Sequence, residues 1–167
     1  MAIAREIHNL SDLEPTLRRL RTFPREMLKE ATKAMQISVN EFEGAVVERT
    51  PVGATEILRG SIFGEAVNVT GEEVVGHVGS PEIYALPVEE GTKPHWPPRG
   101  ALLQWVERVL GIAGAQAERV EFLVRRAISR RGTKGAHMFR EGWKASEDRI
   151  RRVWRRLGFE LIRKHFR

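Results

Sequence analysis

Five histidines, His8, His77, His95, His137 and His165, are the side chains best suited to metal or proton chemistry. Their spacing argues against both uses. There is no HExxH motif and no pair four residues apart, so no helical zinc site is written into the chain. The chain contains no cysteine, which removes disulfides and thiolate metal sites. Carboxylates stand side by side at Glu72-Glu73 and Glu89-Glu90. Sequence neighbours point apart on a helix or strand, so neither pair forms an acid–base dyad. Ser61 and Ser80 adjoin glycines, but no GxSxG elbow surrounds them. The GTK at Gly91–Lys93 lacks the upstream glycine spacing of a phosphate-binding loop. The expectation is a protein without enzymatic activity, metal or cofactor.

Binding is the remaining class of chemistry. The RGTKG segment, Arg131–Gly135, holds a GxxG turn of the type that can clamp a nucleic-acid backbone. A lone GxxG is common, however, and the favoured reading is a tight connection between two helices with two exposed cations. The net charge is +6, and it is unevenly placed: Glu141 to Arg167 hold nine Lys/Arg against four Asp/Glu. Such a basic end attracts nucleic acid or an acidic protein surface through the same Coulomb term, unless it is only a solvated helix face.

The elements that carry these residues follow from periodicity. With 167 residues the chain suits one domain, 1–167. No apolar run approaches the ~20 residues of a membrane span. The first residues lack the apolar stretch of a secretory leader, so a cytosolic product is expected. Leu13, Leu17 and Leu20 suggest an opening helix that Pro24 should end or kink. Met27, Leu28, Ala31, Met35, Val39, Phe42 and Val46 then follow helical steps from Pro24 to Glu48, where Thr50-Pro51 stops the pattern. Strand-like residues run over Leu58–Val69 and Glu73–Val78, joined by a turn at Thr70–Glu72. The apolar face of that hairpin should pack on the long helix, with Gly60, Gly64, Gly76 and Gly79 marking bends or close approaches. Beyond it come a short helix over Glu82–Glu90 closed by Gly91, and a proline-stiffened loop, Lys93–Gly100, carrying Trp96. Helices are expected over Ala101–Leu110 and Ala115–Arg130. A last helix spans about Phe139–Phe166, so that 141–167 forms a basic C-terminal helix. The fold class is α+β: a long N-terminal helix on a small antiparallel sheet, with additional C-terminal helices.

On the last helix Trp143, Ile150, Trp154, Leu157 and Leu161 form one apolar stripe, while Arg149, Arg152, Arg156 and Arg163 fall on the other side. These arginines are the candidate basic contact surface, for an acidic partner or for DNA. Phe159, Ile162 and Phe166 lie off the main stripe at 100° per residue. Either Gly158 breaks the helix and resets its phase, or the last turns offer a second apolar face to a partner.

Four short motifs occur in order: Thr50-Pro51-Val52, Leu58-Arg59-Gly60-Ser61-Ile62, Tyr84-Ala85 followed by Val88-Glu89-Glu90-Gly91-Thr92, and Gly132-Thr133 before Phe139. The ordered set resembles the neck and tail-completion (head–tail joining) proteins of tailed bacteriophages, including relatives of minor tail protein Z, over residues 12–145. The resemblance implies a virion protein of the neck or tail, made in the host cytoplasm. Its implied partners are head-closure or connector, tail-terminator and tail-tube proteins. It also implies a homo-oligomeric ring, sixfold, with DNA nearby and no membrane. Within that frame Arg59 on a strand could pair with Glu89 or Glu90. Tyr84, Trp96, Phe159, Ile162 and Phe166 join them as candidate interface residues, Tyr84 offering an apolar body with a polar tip.

Overall fold

The computed structural model describes residues 14–53, 56–68 and 73–165. Helix α1, Glu14–Arg49, is 36 residues long, about 54 Å at 1.5 Å per residue. It does not stop at Pro24, which lies inside it. A proline removes one bond from the helical ladder and crowds the preceding turn. That local cost is outweighed by the buried face farther along: Ala34, Ser38, Val39, Ala45 and Val46. Thr50 ends the helix as the sequence suggests, its hydroxyl donating to Val46 O at 2.8 Å.

The segment after Pro51 departs from the strand expectation. Ile57–Gly60 forms a helical turn, α2, so the strand β1 begins only at Phe63 and runs to Asn68. Leu58 and Ile62 both enter the core; a spacing of four brings residues to one side in a helical turn and in a strand alike, so their burial did not distinguish the two. β1 pairs with β2, Val74–Gly79, as a two-stranded sheet. The expected turn at Thr70–Glu72 lies outside the described residues. Gly76 is where the sheet meets α1: a Cβ there would stand 2.5 Å from Val39 Cγ2 and 2.8 Å from Met35 Sδ.

Helix α3, Ala85–Glu90, leads into a two-residue strand β3, Gly91–Thr92. The Lys93–Gly100 loop forms neither helix nor strand, with a bend at Pro94 and a turn at Arg99–Gly100. It is followed by α4, Leu103–Leu110, and α5, Ala115–Arg131. A second short strand, β4, Thr133–Lys134, precedes α6, Met138–His165. Gly158 does not interrupt α6, so a break that resets the helix phase there is ruled out.

The chain divides into two compact units. The first holds residues up to 39, 65–77 and 149–167. In it α1 and α6 run antiparallel, joined by Trp154 Nε1 donating to Ser38 Oγ at 3.1 Å and by Lys164 Nζ on Glu26 Oε2 at 2.6 Å. Glu26 raises the Lys164 pKa above its ordinary value, first by that hydrogen bond and then by its charge. The second unit holds residues 40–64 and 78–148. Its core is Val46, Leu58, Ile62, Ala85 and Met138, flanked by Phe42, Val78, Val88 and Phe139, and Trp143 meets Phe42 edge-on with centroids 5.4 Å apart.

Candidate protein–protein interface

Two of the sequence motifs, 41 residues apart, form one structural clasp. β3 and β4 pair antiparallel with Gly91 opposite Lys134 and Thr92 opposite Thr133. The two threonine hydroxyls lie 2.9 Å apart, and Thr133 N–H donates to Thr92 Oγ1 at 3.1 Å. Ala136 N–H and His137 N–H continue the connection to Val88 O and Glu89 O, at 2.8 and 3.1 Å. Gly132 is required here: its φ is 69°, and a Cβ would run into Thr92 O. RGTKG is thus half of a β-bridge, and its GxxG backbone is occupied by the VEEGT motif. Nothing in the order of residues signalled that pairing beyond the repeated Gly-Thr dipeptide.

The Glu89 side chain completes the clasp from within. It is buried, and its two oxygens accept the N–H groups of Phe139 at 2.9 Å and Arg140 at 3.2 Å. These are first-turn donors of α6, which have no partner inside their own helix. A carboxylate also suits the positive end of the helix dipole. The expected pairing with Arg59 is therefore corrected. Arg59 sits on α2, not on a strand, and its Nε donates to Val47 O at 3.1 Å, a last-turn carbonyl of α1 that also accepts Thr50 N–H at 3.3 Å. Both members of the anticipated pair serve helix ends. Ser61 similarly links its motif to Ser80, with hydroxyls 2.7 Å apart.

The Lys93–Gly100 loop is fixed to α5 by groups that the sequence did not single out. Gly100 N–H donates to Glu121 Oε1 at 2.8 Å, and Arg125 Nε donates to Pro97 O at 2.9 Å. The Arg125 guanidinium stands 3.7 Å from Glu121 Oε2, both side chains being largely buried. It also lies over the Trp96 ring, 5.7 Å from the centroid, a favourable placement for a cation. Trp96 leans on Phe122 with centroids 6.4 Å apart, yet stays half exposed. Beside this arrangement a groove of about 870 Å³ opens between the loop, α4 and α5.

Tyr84 is partly exposed on the turn before α3. Partial burial, with the charge and hydrogen bonding of Glu82, pushes its phenol above the ordinary value. On α6, Arg149, Arg152, Arg156 and Arg163 are exposed, as their spacing suggests. Arg152, Arg155, Arg156, Phe159, Glu160 and Arg163 line a shallow groove on that face, where Arg156 pairs with Glu160 at 2.9 Å. Phe159 and Ile162 stand 68% and 60% exposed; Phe166 lies outside the described residues. Among the described residues no group of three or more His, Asp or Glu could hold a metal ion, and no helix is long and apolar enough to cross a membrane.

Residues 15–91 match the family model described as "Bacteriophage HK97-gp10, putative tail-component". Over this stretch the chain is similar to a phage tail component. The match agrees with the neck and tail-completion resemblance, and it ends at Gly91, short of the 145 that the motifs suggested. It takes in α1, α2, the sheet and α3, and leaves the tryptophan loop, the β4 strand and the arginine face outside. No curated protein matches the chain, and no solved structure does.

Proposed function

We propose that the chain is a non-enzymatic structural protein of the phage neck or tail top, which completes the tail and joins it to the DNA-filled head. The reading has it working through a closed ring of copies, six in number, stacked against head-closure, tail-terminator and tail-tube proteins. The observation that carries it is the match of residues 15–91 to a phage tail-component family. It is supported by apolar side chains that the fold leaves uncovered on otherwise well-fixed elements: Trp96, Phe159 and Ile162. Exposed apolar surface held on fixed elements is a common feature of contact sites. Deleting the gene should yield full heads beside unattached tails, seen by electron microscopy of the lysate. Normal infectious particles from the deletion would refute the proposal.

A second reading, a basic nucleic-acid-binding protein, is favoured by one observation. Arg152, Arg155, Arg156 and Arg163 share an exposed face of α6. Each neutralised phosphate adds affinity through counterion release, so a channel that lets DNA slide is better without such clamps. Guanidinium groups also form bidentate pairs with protein carboxylates, which is why we assign the face to an acidic neighbour. Tight binding of short duplex DNA by the purified protein, falling steeply with salt, would reverse that assignment.

A further inference from the structure

Two surfaces of the second unit stay uncovered by its core, an apolar projection and an apolar groove. The first is a knob on the turn into α3. Ile83 is 93% exposed and Leu86 69% exposed, and the neighbouring Glu82 is half-buried, its carboxylate interacting with Tyr84. Its base is fixed. Ser80 Oγ accepts Glu82 N–H at 3.2 Å, Ala85 N–H bonds Glu82 O at 2.9 Å, and the Ala85 side chain enters the core. An isoleucine held this far into water on an anchored turn is not an accident of a loose loop.

The second surface is the groove beside the Lys93–Gly100 loop. Its apolar part is Leu103, Phe122 and Leu123, of which Phe122 and Leu123 are 51% and 59% exposed. The half-exposed Trp96 stands at its edge against Phe122. The rim carries two exposed cations, Arg99 and Arg119, against one exposed carboxylate, Glu118, while the buried carboxylate of the lining, Glu121, is engaged by Arg125 and Gly100. An apolar centre with aromatic anchors and a charged rim is the anatomy of a protein contact. The knob is apolar with one half-buried carboxylate, Glu82, beside it, and the groove is apolar with a rim that is basic on balance, two arginines against one glutamate.

We propose that the Ile83–Leu86 knob of one copy seats in the Phe122–Leu123 groove of a second copy. The occupant is a second copy because the chain itself carries both an apolar projection and, in Glu82, a carboxylate opposite in sign to the rim's balance. Knob and groove share no residue, so the contact is heterologous: each copy gives one knob and receives another. Repetition of such a contact closes a ring or grows a filament. The inference rests on the ring-forming reading above and names the surfaces that reading needs.

The absence of cysteine from the chain makes a clean test available. Ile83→Cys and Leu123→Cys are prepared as separate full-length proteins, each replacing an exposed side chain, and oxidised alone and as a mixture. Leu86→Cys with Phe122→Cys serves as a second pair, in case the first sulfurs do not meet. The mixture should form a linked heterodimer about tenfold faster than either protein links to itself, because association raises the effective thiol concentration. Adding Leu86→Asp to the Ile83→Cys chain should return the rate to that of the single proteins. If neither pair links faster mixed than alone, the knob–groove contact is overturned. A groove occupied by a different tail protein would give that same result. Purified protein is used throughout, so failure here leaves the tail-component reading standing. Conversely, particles indifferent to the gene would leave a positive cross-link untouched.

Discussion

Replacing Glu89 by alanine should weaken the fold through the start of α6 and not through any surface contact. The side chain is buried, and its oxygens take the Phe139 and Arg140 amides at 2.9 and 3.2 Å. Loss of a helix cap costs about 0.5–2 kcal/mol, and a hydrogen bond to a charged group contributes about 1.5–3 kcal/mol net. Two such bonds, one of them long, together with a small cavity, place Glu89→Ala at about 2–4 kcal/mol. Glu89→Gln keeps one good acceptor and loses the charge, for about 1–2 kcal/mol. Glu90, its exposed neighbour, is the control; Glu90→Gln should stay within about 0.5 kcal/mol.

The assay is urea unfolding followed by tryptophan fluorescence, with amide hydrogen exchange at Phe139 and Arg140. With a slope of about 2 kcal/mol per molar urea, the alanine variant should unfold about 1–2 M earlier at unchanged slope. Protection of the two amides should fall with it. If Glu89→Ala shifts the midpoint by less than about 0.3 M while blocking assembly into particles, the capping argument is wrong. The residue would then belong to the interface where the sequence motif suggested it.

Gly76→Ala should destabilise by about 1–3 kcal/mol, since the new methyl must displace Val39 or Met35; combining it with Val39→Ala should recover part of the loss in the same urea assay, and strict additivity would show that the two do not share the space. Tyr84 is the single tyrosine, so its phenolate absorbance can be followed alone. Its midpoint should lie above the usual value of about 10, and Glu82→Gln should lower it. The raised folded-state pKa means that any stability it contributes is complete below pH about 10 and is lost as pH rises through the folded value.

The long-range bonds explain which parts of this fold could be read from the residues. The ends of α1, α4 and α5 were legible because Thr50-Pro51, Gly111 and Gly132 act through their own backbone. The apolar stripe of α6 was legible for the same kind of reason: Ile150 is buried, and Trp154 reaches Ser38. Pro24 misled, because its cost is local while the buried face that carries α1 past it extends over several turns. Leu58–Ile62 misled because a run of β-compatible residues does not state which neighbours will bury it; Leu58 and Ile62 both go to one core, which a single helical turn achieves. The β3–β4 clasp was marked in the sequence only by the repeated Gly-Thr dipeptide. It is specified by Thr92 and Thr133 meeting across 41 residues.

The distinction between residues used by the fold and residues left over decides how the candidate interface is to be read. Glu89 and Arg59 are engaged at helix ends, so their places in the recurring motifs are accounted for by folding. Trp96, Phe159 and Ile162 are different. Each is held by an ordered neighbour in chain, loop or helix, and each leaves half or more of its surface in water. Fixing a large apolar side chain costs conformational freedom whether or not it is buried, and burial is what ordinarily offsets that cost. In the Lys93–Gly100 loop the arrangement goes further, since Glu121 and Arg125 are withdrawn from water to hold the loop that presents Trp96. An ion pair so placed stabilises little by itself once its desolvation is counted. Its effect is positional: it keeps a tryptophan at the mouth of an apolar groove. That positional role is the physical ground on which we propose this face as a contact site.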